Sequence, residues 1–155
     1  MRYVTYYDSP IGILEISGTE NGISAVHFTE KKTDPDPAIP LPLKDCCRQL
    51  YEYFVGNRMD FSLKLQLEGT NFQKKVWNQL MKIPYGKTVS YKDIARAIGN
   101  EKAVRAVGSA NGRNNIAIII PCHRVIAYDG TLGGYGGGLW KKEWLLNHER
   151  RFRRL

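Results

Sequence analysis

Near Gly69 the sequence passes from one pattern into another, and no single repeating architecture accommodates both. Before it, Arg2–Tyr7, Ile11–Ser17 and Ile23–Phe28 are short β-type runs separated by the turn signals Ser9-Pro10 and Glu20-Asn21-Gly22. Four prolines between Asp34 and Pro42 predict an extended loop. From Leu43 to Val55, apolar residues at 43, 46, 47, 50, 51, 54 and 55 follow a helical period that Gly56-Asn57 ends. Cys46 and Cys47 fall on or beside that stripe and read as core residues, since a free cysteine packs as a small hydrophobe. Up to about residue 60 nothing carries obvious chemistry.

After Gly69 the signals are helical. Thr70-x-x-Gln73 is a capping box opening a helix with Phe72, Val76, Trp77 and Leu80 on one face, stopped by Pro84. Ser90-x-x-Asp93 has capping spacing for a helix from Tyr91 to Ile98, closed by Gly99. Asn100 is positioned to cap a third, from about Glu101 to Ala110. Two short helices joined by a glycine turn suggest a helix-turn-helix, a weak signal by itself. Ala103, Ala106, Gly108 and Ala110 on the third helix permit close approach to another helix or a DNA groove. Ile116–Ile120 reads as a short apolar strand ending at Pro121, and Gly130 to Gly138 as a loop. A last helix, about Leu139 to His148, carries Trp140 and Trp144 at i, i+4. The basic tail Arg150–Arg154 reads as a solvated end that can graze phosphate.

Charge follows the same division. Residues 1–68 hold 7 Lys/Arg against 10 Asp/Glu, and residues 69–155 hold 16 against 5, so the formal +8 comes entirely from the second part. A strongly basic half is the footprint of a polyanion binder, though a solubilising surface has the same composition. No stretch approaches the ~18 apolar residues that span a bilayer, and MRYVTYYDSP lacks the features of a secretory signal. A soluble cytoplasmic protein (nuclear in a eukaryote) with reduced thiols is expected. An adjacent Cys46-Cys47 pair without a second ligand pair does not match zinc spacing, so no metal is expected.

Cys122 is the candidate nucleophile. It follows Pro121 at the end of the apolar run, with His123 beside it and Arg124 adding a positive charge. A thiol attacks as thiolate and needs a neighbour that lowers its pKa or takes its proton. Consecutive residues on an extended segment point apart, so a Cys–His relation needs a turn or a bridging water. An isolated Cys-His pair is more often incidental than catalytic. Two further motifs fail. Tyr85-Gly86-Lys87-Thr88 ends like a phosphate-binding loop, but five positions before Gly86 stands Met81. The glycines from 133 to 138 are not in dinucleotide-binding register; a flexible cover around Tyr135, or a plain surface loop, reads better.

With these residues in view, the second part closely resembles the O6-alkylguanine-DNA alkyltransferases. Their signature Pro-Cys-His-Arg-Val stands as Pro121 to Val125. Around it, in the family's order and spacing, lie Gly69-Thr70-x-Phe72-Gln73-x-x-Val76-Trp77, Ile83-Pro84-x-Gly86-x-Thr88-x-Ser90-Tyr91, Arg105-Ala106-Val107-Gly108 and Lys142-Glu143-Trp144-Leu145-Leu146-x-His148-Glu149. The resemblance implies a small N-terminal β-sheet-plus-helix domain over 1–68, ribonuclease H-like and structural. A mostly helical, winged helix-turn-helix-like domain would follow over 69–155, giving an α+β part and an α part. It implies a monomer that uses no cofactor and acts once on duplex DNA, drawing an alkyl group from O6 of guanine onto Cys122. His123 would serve as base through a water, with Glu149 orienting it. Asn114 would hold the turn bearing the nucleophile, and Tyr91 would approach guanine N3 and the rotating phosphate. Arg105 would fill the stack left by the extruded nucleotide. Backbone carbonyls of Cys122 and Val125 would read the exocyclic amine, and Tyr135 with the amide of Gly136 would cover the base. Further DNA contacts would come from Ala106, Ala103, Asn100 and Thr70.

The chain departs from the family pattern in places. Asn114-Asn115 replaces an Asn-Pro pair, Asn111 stands at an apolar pocket position, and Gly136 replaces a serine. These bear on the size of the alkyl group accepted. Three rivals remain: a non-reactive lesion binder of the same fold, which carries another residue at the cysteine position; a helix-turn-helix regulator; and a cysteine hydrolase or acyltransferase with repeated turnover.

Overall fold

The computed structural model describes residues 1–153, so Arg154 of the basic tail lies outside the described residues. The chain forms two compact units, Met1–Glu68 with Asn115–Ala117, and Gly69–Asn114 with the described residues from Ile118 onward.

In the first unit β1 (Tyr3–Ser9), β2 (Gly12–Thr19) and β3 (Gly22–Thr29) form an antiparallel sheet with β2 in the centre. Tyr7 faces Leu14, which faces Phe28. Period-two alternation puts Leu14 and Ile16 at zero exposure. α1 (Leu41–Phe54) covers the sheet with Leu43, Cys46, Leu50 and Tyr53. It begins two residues earlier than the apolar period indicates. Pro42 sits in its first turn, where the missing N–H would have had no partner in any case. Cys46 is in the core as expected, but Cys47 is only half-buried, and Tyr51 and Val55 are exposed. The stripe is rotated because Gln49 is also buried, exchanging bonds of 3.0 and 2.8 Å with the Ser62 backbone.

The free edge of β3 is covered by two short segments. Ile23 pairs with Lys64 and Gln66, and Val26 N–H donates to Asn115 O at 2.8 Å while Val26 O accepts from Ala117 at 3.0 Å. Paired edges cannot recruit another chain. Asn115 adds a side-chain bond to Glu68 O at 3.2 Å. A proline at that position could not make it.

The second unit is mostly helical. α2 (Asn71–Leu80) and α3 (Tyr91–Ala97) both open with the expected reciprocal capping boxes. α4 (Val104–Gly112) packs against both, and Trp77 Nε1 donates to Ala110 O at 2.9 Å. Asn100 does not cap α4. Its carbonyl instead closes a turn with Ala103 N–H at 3.0 Å, and the helix begins at Val104 without a side-chain cap. Nor is Ile116–Ile120 a strand. Ile116 makes one bridge to Val26, and Ile118 turns the chain with φ 71°. That left-handed conformation is strained in a β-branched residue, by about 1–2 kcal/mol. Cys122–Arg124 form one 3-10 turn, and β4 (Val89–Ser90) pairs in parallel with β5 (Val125–Ile126). α5 (Leu139–Phe152) runs a turn beyond His148, so Arg150 and Arg151 are helical. No described helix is long and apolar enough to cross a membrane.

Candidate active site

The 3-10 turn settles how Cys122 and its neighbour are presented. Pro121 and Asn114 hold it from before: Asn114 Nδ2 donates to Ile120 O at 2.8 Å, and Arg124 N–H to Pro121 O at 2.9 Å. On such a turn consecutive side chains no longer oppose one another. Cys122, His123 and Arg124 are all buried, and so is Glu149 from α5.

Glu149 is the hub of the site. His123 Nε2 lies 2.6 Å from its Oε2, while Arg124 Nε and Nη2 donate to Oε1 and Oε2 at 2.8 and 3.1 Å. The backbone N–H of Gly86 donates to Oε1 at 3.1 Å, and Arg124 Nη1 reaches Ile83 O at 2.7 Å. Burial alone would raise the carboxyl pKa. The charge and hydrogen bond of His123, with the Arg124 fork, outweigh it and hold the group below the usual carboxylate range. Burial likewise pushes the His123 pKa down, against the pull of Glu149. A neutral imidazole beside a carboxylate carries its proton on Nε2. The lone pair is then on Nδ1, which is buried without a hydrogen-bond partner among the described residues. The arrangement leaves His123 able to accept a proton.

Burial raises the Cys122 thiol pKa, while a hydrogen bond from Asn114 and the positive charge of Lys142 act the other way. Lys142 is itself wholly buried, and burial lowers its pKa to about 8 against the attraction of Cys122. Its Nζ donates to Val125 O at 2.7 Å and Gly134 O at 3.1 Å and lies 6.0 Å from the Tyr91 ring centre. Tyr91, half-buried at the start of α3, also meets the backbone of Gly134. Gly133, at φ 70°, packs so close to the Tyr91 hydroxyl that an added Cβ would lie 2.6 Å from it. Only glycine fits there. The glycine-rich segment is therefore clasped by Tyr91 and Lys142. Tyr135 is half-buried with its hydroxyl inside, its pKa raised well above normal by burial, with Cys122 and Glu149 adding to the shift, and Gly136 is exposed.

The structure thus gathers Cys122, His123, Glu149, Asn114, Tyr91, Val125 and Tyr135 in one unit. Arg105 and Ala106 lie exposed on α4 beside Val104, while Ala110 is buried and Gly108 half-buried. Thr70 is exposed, with its hydroxyl engaged in capping α2, and Asn100 lies exposed in the turn after α3. Sequence reasoning left Lys142 without a role, and it read Arg124 as a charge near the thiol, whereas its fork turns to Glu149. A signal for Lys142 existed: it shares the buried face of α5 with Leu145, Leu146 and Glu149 at i+3, i+4 and i+7. Among the described residues no three of His, Cys, Asp and Glu are grouped to hold a metal ion.

Lys142→Met keeps the bulk and removes the donors. Leaving two buried carbonyls without this partner should lower the unfolding free energy by about 2 kcal/mol in urea titrations. Removing the ammonium should also shift thiol alkylation of Cys122 to higher pH.

Residues 71–151, which contain this entire constellation, match the family described as 6-O-methylguanine DNA methyltransferase, DNA binding domain. Residues 2–67 match the 6-O-methylguanine DNA methyltransferase, ribonuclease-like domain. The chain belongs to the 6-O-methylguanine DNA methyltransferase family. Within it, the methylated-DNA–protein-cysteine methyltransferase of Methanosarcina acetivorans is 49% identical over 152 residues, covering 95% of this chain and 97% of that protein. The constitutive methylated-DNA–protein-cysteine methyltransferase of Bacillus subtilis is 44% identical over 165 residues, 97% of this chain and 96% of its own. A crystal structure of the Mycobacterium tuberculosis O6-methylguanine methyltransferase is similar over 99% of this chain and 96% of its own. Its TM-score is 0.89 at 42% identity. A second structure of the mycobacterial protein, in complex with DNA, has a TM-score of 0.87 at 44% identity, covering 95% of this chain and 92% of that one.

Proposed function

We propose that this chain repairs DNA by direct reversal, transferring a methyl group from O6 of guanine in a duplex to its own Cys122. The observation that carries this reading is the Cys122–His123 turn set against the Glu149 hub, in a family whose members are named for the same transfer. In the reaction, His123 takes the thiol proton through a water and Sγ attacks the alkyl carbon. The S–C bond forms as the C–O6 bond breaks, and the departing guanine recovers a proton with help from Tyr91. The product is a thioether that no group in the site can reverse, so each chain acts once.

Glu149 fixes the imidazole tautomer, and Asn114 steadies the turn and its water. The reactive carbon lies inside the duplex, so the nucleotide must leave the stack at a cost of a few kcal/mol. Arg105, exposed on α4, takes its place, and the small side chain of Ala106 lets the helix enter the minor groove. Thr70, Asn100 and Ala103 lie toward the phosphates, Tyr135 and the Gly136 amide cover the base, and the carbonyls of Cys122 and Val125 receive its amine. Binding is dominated by phosphate and sensitive to salt. The protein acts as a monomer in the cytoplasm, where its thiols stay reduced.

The test is stoichiometry. Duplex DNA carrying radiolabelled O6-methylguanine, in excess over protein, should label each chain with no more than one methyl group, after which the reaction stops. Label released as methanol, continued turnover, or tight binding without transfer would each overturn the proposal.

A further inference from the structure

Asn111 lies on the buried face of α4 with Val107 and Ala110, and is 5% exposed. Its Nδ2 donates to the Cys122 carbonyl at 3.4 Å, a long contact that still fixes which way the amide points. The reverse orientation would set two acceptors against each other. The remaining atom, Oδ1, is buried and has no hydrogen-bond partner among the described residues. A buried acceptor without a donor costs stability. An apolar side chain like that of Val107 would avoid the cost. Oδ1 is suited to a donor brought by the substrate, beside the backbone of the nucleophile.

An O6-alkylated guanine in DNA has one donor group. Alkylation of O6 removes the proton from N1, N3 and N7 are acceptors, and N9 is bonded to the sugar. Only the 2-amino group is left. It sits on the same edge as O6, with N1 between them. A base that turns its O6 substituent toward Cys122 Sγ carries that amine along the flank of the same residue. There Asn111 Oδ1 joins the Cys122 and Val125 carbonyls as a further acceptor for its hydrogens, each of those carbonyls already holding a side-chain donor.

We infer that Asn111 is a specificity-determining residue whose Oδ1 accepts a hydrogen bond from the 2-amino group of the alkylated base. The inference rests on the alkyl-transfer reading above and deepens it: the site selects alkylguanine against alkylated bases that lack this amine. O4-methylthymine is one, and it presents an acceptor oxygen where guanine has its amine.

The experiment compares single-turnover methyl transfer to the full-length protein from two duplexes. One holds O6-methylguanine, the other 6-methoxypurine, the same base without its 2-amino group. The wild-type protein should prefer the first by at least roughly fivefold, the factor that one net hydrogen bond of ordinary strength is worth. Asn111→Met should shrink that preference by roughly fivefold, mainly by slowing the guanine substrate. Asn111→Leu gives a second apolar variant. Equal wild-type rates on the two bases overturn the inference without any variant. Equal slowing of both substrates in the variants, the mark of a purely structural role, also overturns it. Failure of the wild type to accept a methyl group from O6-methylguanine would instead remove the transfer reading, and this inference with it.

Discussion

Cys122→Ala is expected to leave the protein folded and able to bind DNA, and to abolish methyl transfer completely. Loss of one buried sulfur should change stability by no more than about 1–2 kcal/mol. On the proposed function, the phosphate contacts that dominate affinity would lie elsewhere. The other thiols cannot substitute. Cys46 is fully buried, its pKa pushed far above the usual thiol range by burial and by Cys47. Cys47 is raised by burial alone. Burial raises Cys122 as well, but only there do a hydrogen bond and a nearby ammonium oppose it. Peptide mass mapping after exposure to methylated DNA should find the added methyl on the Cys122 peptide of the wild type. It should find none on any peptide of the variant, while electrophoretic mobility shifts show unchanged DNA affinity. A methyl group found on Cys47 of the variant would refute the assignment of the acceptor.

Glu149→Gln should cost both stability and rate. The carboxylate is the only negative charge facing the buried Arg124 and His123 in the described contacts. Removing one member of a buried ion pair typically costs about 3–5 kcal/mol, because the remaining charge is left uncompensated. Arg124→Met added to Glu149→Leu should therefore be less destabilising than Glu149→Leu alone, as urea titrations of the set would show. In the folded fraction, transfer should slow by about 10²–10³-fold, the scale of a misdirected general base. The same hub sets the pH response. Glu149 has a folded pKa below its unfolded value of about 4.3, so its stabilisation is present above that pH and lost as pH falls further. His123 also has its folded pKa lowered, so below about 6.5 the unfolded chain binds the extra proton first. Both effects act in one direction. Stability should decline from about pH 6.5 downward and more steeply below about 4.3, and Glu149→Gln should flatten the lower part of the curve.

What was legible in the sequence was mostly local. The boxes at Thr70/Gln73 and Ser90/Asp93 are closed by residues three apart, so the chain needs no distant partner to form them. The Asn100 reading failed for a related reason. A residue able to cap can equally close a turn through its carbonyl, and the choice depends on where α4 packs. Apolar runs misled where a distant partner intervened. Ile116–Ile120 is strand-like in composition, but Val26 takes up one end of it and the turn at Ile118 ends any ladder. In α1 the apolar count passed over Gln49, whose burial depends on the Ser62 backbone far along the chain. At the candidate site, Pro121–Val125 and Glu149 were visible because their types and order match a family pattern. The Arg124 fork on Glu149 and the Lys142 clasp on Gly134 were not. Lys142 holds a backbone carbonyl, which leaves no mark in a sequence, and the Arg124 fork joins two residues 25 apart that only the fold brings together.

Asn115–Ala117 belongs to the first unit although the chain on either side belongs to the second. Neither unit is therefore a continuous stretch, and no single cut yields two intact pieces. A fragment ending at Glu68 would lose the strip that pairs with Val26, and one beginning at Gly69 would carry that strip with its backbone groups unsatisfied. The N-terminal sheet cannot be exchanged as a cassette with that of another protein unless the replacement offers a matching edge to these three residues. Substitutions on the outer side of β3 then bear on the stretch of backbone that leads, five residues later, to the cysteine.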